Sequence, residues 1–201
     1  MSEGYRTDAI ERHTHLPRSM ASVTTSRPLV TFDIDGVLCR SPFGINPGGV
    51  SRDASRPARF PRPTWPFERW LYLRRQPMPG AAEGFRAIAK NFECAVVSAR
   101  GEAARSVTEA WLVQTLELLP PLWLRASWRE RSSAFKARVI PPLKPLAHFE
   151  DDPNTALLLA DQIPHVFLLD WPRNQGVEQS NIHRIQRLAD ALPILEVIVG
   201  D

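Results

Sequence analysis

The sequence predicts an α/β fold: a doubly wound parallel sheet, three layers thick, with a small flap inserted after its first strand. Three observations carry this expectation. Short apolar runs recur at 29–34, 94–97, 146–149 and 166–169, the first with a β-branched share, the pattern of strands buried on both faces. Between them lie stretches of helical period, and strands alternating with helices make a parallel sheet covered on both sides. Polar and acidic residues follow the runs directly, where such sheets bind their ligands.

Taken in order, residues 1–27 mix Ser, Thr, Arg, Glu and His without a sustained apolar period and read as a mostly disordered leader. His13 and His15 read there as surface residues. Residues 28–201 form the one domain. Its first strand runs from Leu29 through Val30, Phe32 and Ile34. The segment 40–79 is dense in proline and holds eight arginines against Asp53 and Glu68, a formal charge of +6 that leaves the rest of the chain at −3. Phe43, Phe60, Trp65, Phe67, Trp70 and Tyr72 are interleaved with those arginines. Such a basic, aromatic flap suits an anionic, base-bearing substrate and equally reads as a solvated connecting loop whose aromatics pin it to the core; a loop of this length tends to be functional or disordered.

Beyond Gly80 the pattern is regular. A helix is expected over 81–90 with Phe85, Ile88 and Ala89 on one face, then a strand at 94–97 and a helix over 102–119 stopped by Pro120 and Pro121. A third strand at 122–124 and a short helix over 132–140 carrying Lys136 precede the fourth strand at 146–149. Pro153 opens the next helix in the favoured way, with acids beside it. A fifth strand at 166–169, a polar loop at 170–176 and a helix over 181–192 follow. The last stretch, 193–200, fits a strand or a helix end equally.

Composition narrows the class. At 201 residues, 43% hydrophobic and 23% charged, the chain is an ordinary globular protein, and a net charge of +3 is too small by itself to imply nucleic-acid binding. Cys39 and Cys94 lie in apolar runs and read as buried free thiols. Two cysteines and no signal-peptide pattern point to a reducing, cytoplasmic setting. No apolar run nears the roughly 18 residues of a membrane span.

The chemistry begins where the first run meets water. Asp33 and Asp35 cannot stay ionised beside an apolar strand without a partner, and Mg²⁺, which favours one or two carboxylates with water and phosphate oxygens, answers that need. Gly36 lets the backbone turn tightly and approach a ligand. With a phosphate monoester above the strand ends, Asp33 would be the nucleophile forming an aspartyl-phosphate. Asp35 would protonate the leaving oxygen and then deprotonate the attacking water. Ser98 offers a hydroxyl, and Ala99 and Arg100 follow it with backbone N–H groups that suit phosphoryl oxygens. Lys136 would neutralise the transferring group, and Asp151, with Asp152 close by, would complete the metal shell. Singly each has a plainer reading: Ser98 as a helix cap, Lys136 as an exposed helix lysine, Asp152 as the cap of the helix at Pro153. Together, in this order at these strand ends, they point to one site.

That constellation resembles the haloacid dehalogenase superfamily of phosphohydrolases, whose four motifs match FDIDGVL, VVSAR, the lysine of SSAFKARVI, and HFEDDP. The resemblance covers about 29–169. It implies a Rossmann-like sheet, Mg²⁺, Asp33 as nucleophile, Asp35 as general acid/base that also binds the metal through its backbone carbonyl, Ser98 and Lys136 as phosphate contacts, and Asp151 as metal ligand. Asp152 and Glu150 stay open as the direct ligand instead. The only candidate for a cap is 40–79, small enough to suit a large substrate or completion by a second subunit in an oligomer. LLDWPRNQG is similar to the Asp-x-Pro-x-Asn loop of 5′-deoxyribonucleotidase-like members, and SAR to their Thr-Ala-Arg, which favours a nucleotide substrate and makes Arg100 its first expected contact. Rival readings are a receiver-type switch, disfavoured because Lys136 precedes the second acid group, a non-catalytic binding module, and a nucleic-acid end phosphatase.

Overall fold

The computed structural model describes residues 27–40, 72, 74–127 and 129–200. The expected leader and most of the 40–79 flap therefore lie outside the described residues. Among those described, six strands form one parallel sheet: β1 (Leu29–Phe32), β2 (Glu93–Gly101), β3 (Leu122–Arg125), β4 (Ala147–Glu150), β5 (His165–Leu169) and β6 (Ile182–Ile185). Their order is β3-β2-β1-β4-β5-β6. The chain winds outward from β1 in one direction through β3, then restarts at β4 beside β1 and winds the other way. The crevice beyond the carboxyl ends of β1 and β4 is thus the topological switch point, where open α/β sheets bind ligands.

The helices are α1 (Ala81–Ala89), α2 (Arg105–Leu116), α3 (Ser132–Val139), α4 (Pro153–Ala160) and α5 (Leu192–Gly200). One face of the sheet packs under α1, α2 and α5 through a core containing Phe32, Phe85, Trp111, Leu112, Phe149, Phe167 and Leu195. The other packs under α3 and α4 through Val97, Phe135, Ala156, Leu159, Val166 and Leu168. Alternate strand residues face opposite layers, and that periodicity divides the two cores. Phe32, Phe149 and Phe167 stand in register on one face, their rings stacked at 4.6 and 4.8 Å. Phe85 of α1 tilts onto Phe32 at 4.7 Å. Each such ring, fully buried, contributes about 2–3 kcal/mol.

Most expected elements are present within a residue or two. The helix expected over 102–119 opens as a 3₁₀ turn at Glu102–Ala104 and ends as α2 at Leu116, where Glu117 takes a left-handed φ of 62°. The helix expected over 181–192 is not formed: residues 182–185 are strand β6, followed by a 3₁₀ turn at Leu188–Ala191. The reason is period two. Ile182 packs with the α3/α4 layer and Ile185 with the opposite one, while the strand pairs with β5 from Val166↔Ile182 to Leu169↔Ile185. The ambiguous stretch 193–200 belongs to helix α5, which buries Leu195 and leaves Val197 and Val199 exposed.

Candidate functional site

Asp33 stands one residue past β1, its N–H donating to Phe149 O of β4 at 3.0 Å. It is only 6% exposed. Lys136, on the inner face of α3 and 1% exposed, reaches into the crevice and places Nζ 2.8 Å from Asp33 Oδ2 and 2.7 Å from Glu150 Oε2. Behind it Glu150 is fully buried. Its Oε1 accepts the backbone N–H groups of Asp151 and Asp152, both at 3.1 Å. Its Oε2 lies 3.2 Å from His148 Nε2, whose other ring nitrogen is 2.9 Å from Thr31 Oγ1. Burial lowers the His148 pKa, against the pull of Glu150.

Carboxylate oxygens of Asp33, Glu150 and Asp151 all lie within 4.8 Å of one another. Burial pushes the Asp33 pKa up to about 7, against the pull of Lys136, and neighbouring Glu150 adds to the rise. Asp151 is raised for the same reasons, burial first and Glu150 second, with Arg173 opposing. Glu150 goes the other way: burial opposes its charge, but Lys136 and His148 outweigh that and keep it ionised. Lys136 is likewise desolvated, yet Asp33 and Glu150 hold it protonated. One ammonium thus faces three buried acids.

Two further contacts shape the cluster. Gly36 adopts φ 95°, and a Cβ there would fall 1.7 Å from Asp151 Oδ2, so only glycine lets the loop after β1 pass the acid. Trp171 Nε1 donates to Gly36 O at 3.3 Å. Arg173, from the loop after β5, donates Nη2 to Asp151 O at 3.0 Å and closely to Asp151 Oδ2. Asn174 Nδ2 ties the same loop to Leu169 O at 2.6 Å and Asp151 O at 3.3 Å.

Asp35 sits apart from this cluster in a second set of contacts. Arg100 grips it in bidentate fashion, Nε to Oδ2 at 2.8 Å and Nη2 to Oδ1 at 2.9 Å, and Arg75 Nη1 adds a third bond to Oδ1 at 3.0 Å. The Cys39 thiol also donates to Oδ1 at 3.3 Å. Burial disfavours the Asp35 charge, but Arg100 and then Arg75 outweigh it and hold the carboxyl down at about 2. The Arg100 guanidinium lies 4.3 Å from the Tyr72 ring centroid and 5.8 Å from that of Trp111.

No protein-family model and no curated protein sequence matches the chain. Solved structures do. A D,D-heptose bisphosphate phosphatase from B. bronchiseptica, crystallised with magnesium and phosphate, superposes with a TM-score of 0.53 at 11% identity, over 85% of this chain and 99% of that one. A haloacid dehalogenase-like family hydrolase from Streptococcus pneumoniae gives 0.56 at 9% identity, over 85% and 99%. A chain of the Pnkp1/Rnl/Hen1 RNA repair complex gives 0.53 at 16% identity, over 78% of this chain and 49% of that one. The fold is haloacid dehalogenase-like.

On this haloacid dehalogenase-like sheet the expected residues separate into three groups. Asp33, Lys136, Asp151 and Gly36 meet at the switch point. Asp152 does not join them: its carboxylate caps α4, accepting Thr155 N–H at 2.9 Å and the Thr155 hydroxyl at 2.7 Å. That is the plainer reading of Asp152. Ser98, 1% exposed, accepts the Arg100 N–H at 3.4 Å within the irregular last part of β2, where the pairing with β3 shifts register between Ser98 and Gly101. Arg100, expected to meet substrate, is 3% exposed, pairs with Asp35 and packs against Tyr72 and Trp111. The sequence carried no individual role for His148, Arg75 or Arg173, and Asn174 entered only as the asparagine of the Asp-x-Pro-x-Asn-like loop. Arg173 carried a usable signal, a lone basic residue in the polar loop following a strand end.

Proposed function

We propose that the chain is a Mg²⁺-dependent phosphomonoesterase working through an aspartyl-phosphate on Asp33. The observation that carries this reading is the buried convergence of Asp33, Lys136, Glu150 and Asp151 beyond β1 and β4. An all-oxygen donor set of closely spaced carboxylates fits a hard divalent cation, since two such charges about 4 Å apart repel by about 4 kcal/mol even at an effective dielectric near 20. Both oxygens of Glu150 are already engaged by Lys136, His148 and two backbone N–H groups. Asp33 and Asp151 are therefore the residues that would hold the metal, with Glu150 supporting them from behind. When bound, the cation supplies positive charge against the phosphoryl oxygens.

The chain's own residues do the rest. Lys136 holds Oδ2 of Asp33, which leaves Oδ1 to attack phosphorus while the bond to the leaving oxygen breaks. Asp35 is the residue that would give that oxygen a proton and then take one from the water that hydrolyses the acyl phosphate, regenerating Asp33; the Arg100 and Arg75 bonds that hold it ionised have to open for the first of these. Lys136 balances charge in both steps.

The substrate is a phosphorylated small molecule, and the basic segment 40–79 together with the loop 170–176 favours a nucleotide. The same +6 charge supports a second reading, a nucleic-acid end phosphatase. Phosphate release from a panel of phosphometabolites and end-phosphorylated oligonucleotides, with and without Mg²⁺, tests both. Asp33→Asn, which is isosteric, is expected to lose at least about 10³-fold in rate while keeping the fold; retained activity removes the nucleophile assignment. Oligonucleotide turnover that falls steeply with salt, as counterion release requires, selects the second reading.

A further inference from the structure

We propose that His165 and His183 form a second metal site, apart from the acid cluster, that takes a borderline transition-metal cation such as Zn²⁺, Cu²⁺ or Ni²⁺ and clips the edge strand β6 to β5. The inference is independent of the reaction proposed above.

Strand register brings the two rings together. β5 and β6 pair in parallel from Val166↔Ile182 to Leu169↔Ile185, with Phe167 opposite His183. Alternate residues of a strand share a face, so His165, Phe167 and His183 stand on the same side of the sheet. The His183 ring centroid is 5.1 Å from that of Phe167 and, reaching diagonally, 5.2 Å from that of His165. His165 Nδ1 then lies 3.1 Å from His183 Nε2. Both side chains are half-buried, open enough for a cation to reach them from water.

That spacing is the spacing of two ligands on one cation. Zn–N bonds of about 2.0–2.1 Å set their nitrogens about 2.9 Å apart at a right angle and about 3.3 Å apart at the tetrahedral angle, and 3.1 Å falls between the two. Ligation also needs neutral imidazoles. Burial lowers the pKa of each ring, and His165 adds to the effect at His183. Before a cation arrives, one ring donates the N–H that the other accepts. Once it binds, each ring carries its single proton on the outer nitrogen, Nε2 of His165 and Nδ1 of His183, and both inner lone pairs face the metal.

Ligand chemistry separates this pair from the acid cluster. Imidazole suits Zn²⁺, Cu²⁺ and Ni²⁺, whereas Mg²⁺ takes oxygen ligands. Among the described residues the donor group of three is the acid cluster, so at the histidine pair water would fill the remaining positions. β6 is also where a clip has an effect, because it has four residues and lies at the edge of the sheet. Its Arg184 holds the loop that meets Asp151, donating to Asn174 O at 2.8 Å and to Asn174 Oδ1 at 3.0 Å.

The test uses Cu²⁺, whose electron paramagnetic resonance spectrum shows hyperfine splitting from bound nitrogen. The full chain carries His13→Ala and His15→Ala, which leaves the pair and buried His148 as its imidazoles, and Mg²⁺ is in excess. One equivalent of Cu²⁺ is expected to give a two-nitrogen pattern. His165→Ala and His183→Ala are each expected to reduce it to one nitrogen. Each is also expected to weaken Cu²⁺ binding at least about 10-fold by calorimetry, since even a partner that only supports a ligand is worth that much. Zn²⁺ is expected to slow amide hydrogen exchange in residues 182–185, an effect absent from the double variant His165→Ala/His183→Ala. A spectrum without nitrogen splitting, or one that neither substitution alters, overturns the site; exchange in β6 that Zn²⁺ leaves unchanged overturns the clip. His183→Asn, which keeps a polar side chain beside Phe167, carries the same comparison should His183→Ala fail to fold.

Discussion

Gly36 and Asp151 approach so closely that no other residue fits at position 36: a Cβ there would lie 1.7 Å from Asp151 Oδ2. The contact joins the loop after β1 to the end of β4 and sets the width of the crevice between them. Gly36→Ala carries two penalties, a positive φ of about 1–2 kcal/mol and a clash that only displacement of the Asp151 carboxylate relieves. We expect the variant to be destabilised by at least about 2 kcal/mol in urea and to bind Mg²⁺ more weakly than the parent by titration calorimetry. Unchanged metal affinity would show that Asp151 can retreat without consequence.

Asp151 and Asp152 are adjacent in sequence and differently placed, Asp151 in the buried acid cluster and Asp152 at the N-terminus of α4. Asp152→Ala removes the cap of α4 and is expected to cost about 1 kcal/mol with Mg²⁺ affinity kept. Asp151→Asn is expected to abolish Mg²⁺ binding with a smaller effect on folding. Thermal melts with and without Mg²⁺ distinguish the two, and a reversed pattern would make Asp152 the ligand.

Glu150 holds Lys136 in place from a fully buried position. Glu150→Ala strands a desolvated ammonium, two backbone N–H groups and the His148 ring, so a loss of about 3–5 kcal/mol is expected from denaturant unfolding. A double variant, Glu150→Ala with Lys136→Met, is expected to be more stable than Glu150→Ala alone. If it is not, the pair is not the source of the cost.

The raised Asp33 pKa fixes the sign of a pH effect. Its ordinary value is 3.8 and its folded value about 7, so between these the native state retains a proton that the unfolded chain has lost. Stability of the metal-free protein therefore falls as pH rises from about 4 to about 7. Mg²⁺ favours the ionised carboxylate and reverses this loss. The Mg²⁺-induced rise in Tm is expected to be larger at pH 8 than at pH 5 in the parent and to lose that pH dependence in Asp33→Asn. An equal rise at both values in the parent would place the cation away from Asp33.

Much of this protein was legible before any coordinates. The apolar runs at 29–34, 94–97, 146–149 and 166–169 became β1, β2, β4 and β5 because a central parallel strand must be hydrophobic on both faces, a local property of the chain. The acids Asp33 and Asp151, and Lys136 on the helix before β4, were readable for a related reason: polar groups abutting buried strands require a partner, and the winding of the sheet brings these ends together. β6 was misread as helix because an edge strand of four residues shows its period only once β5 lies beside it.

Other features belong to the tertiary structure alone. The setting of Arg100 depends on the positions of Asp35, Tyr72 and Trp111, up to 65 residues away in sequence for Asp35. The placing of Asp151 in the acid cluster and of Asp152 on the end of α4 depends on Thr155 pairing with the latter, and the support of Lys136 by Glu150, His148 and Thr31 depends on the pairing of β1 with β4. In each case the deciding energy is a desolvated charge seeking its counterpart, which acts through space and leaves no periodic trace along the chain.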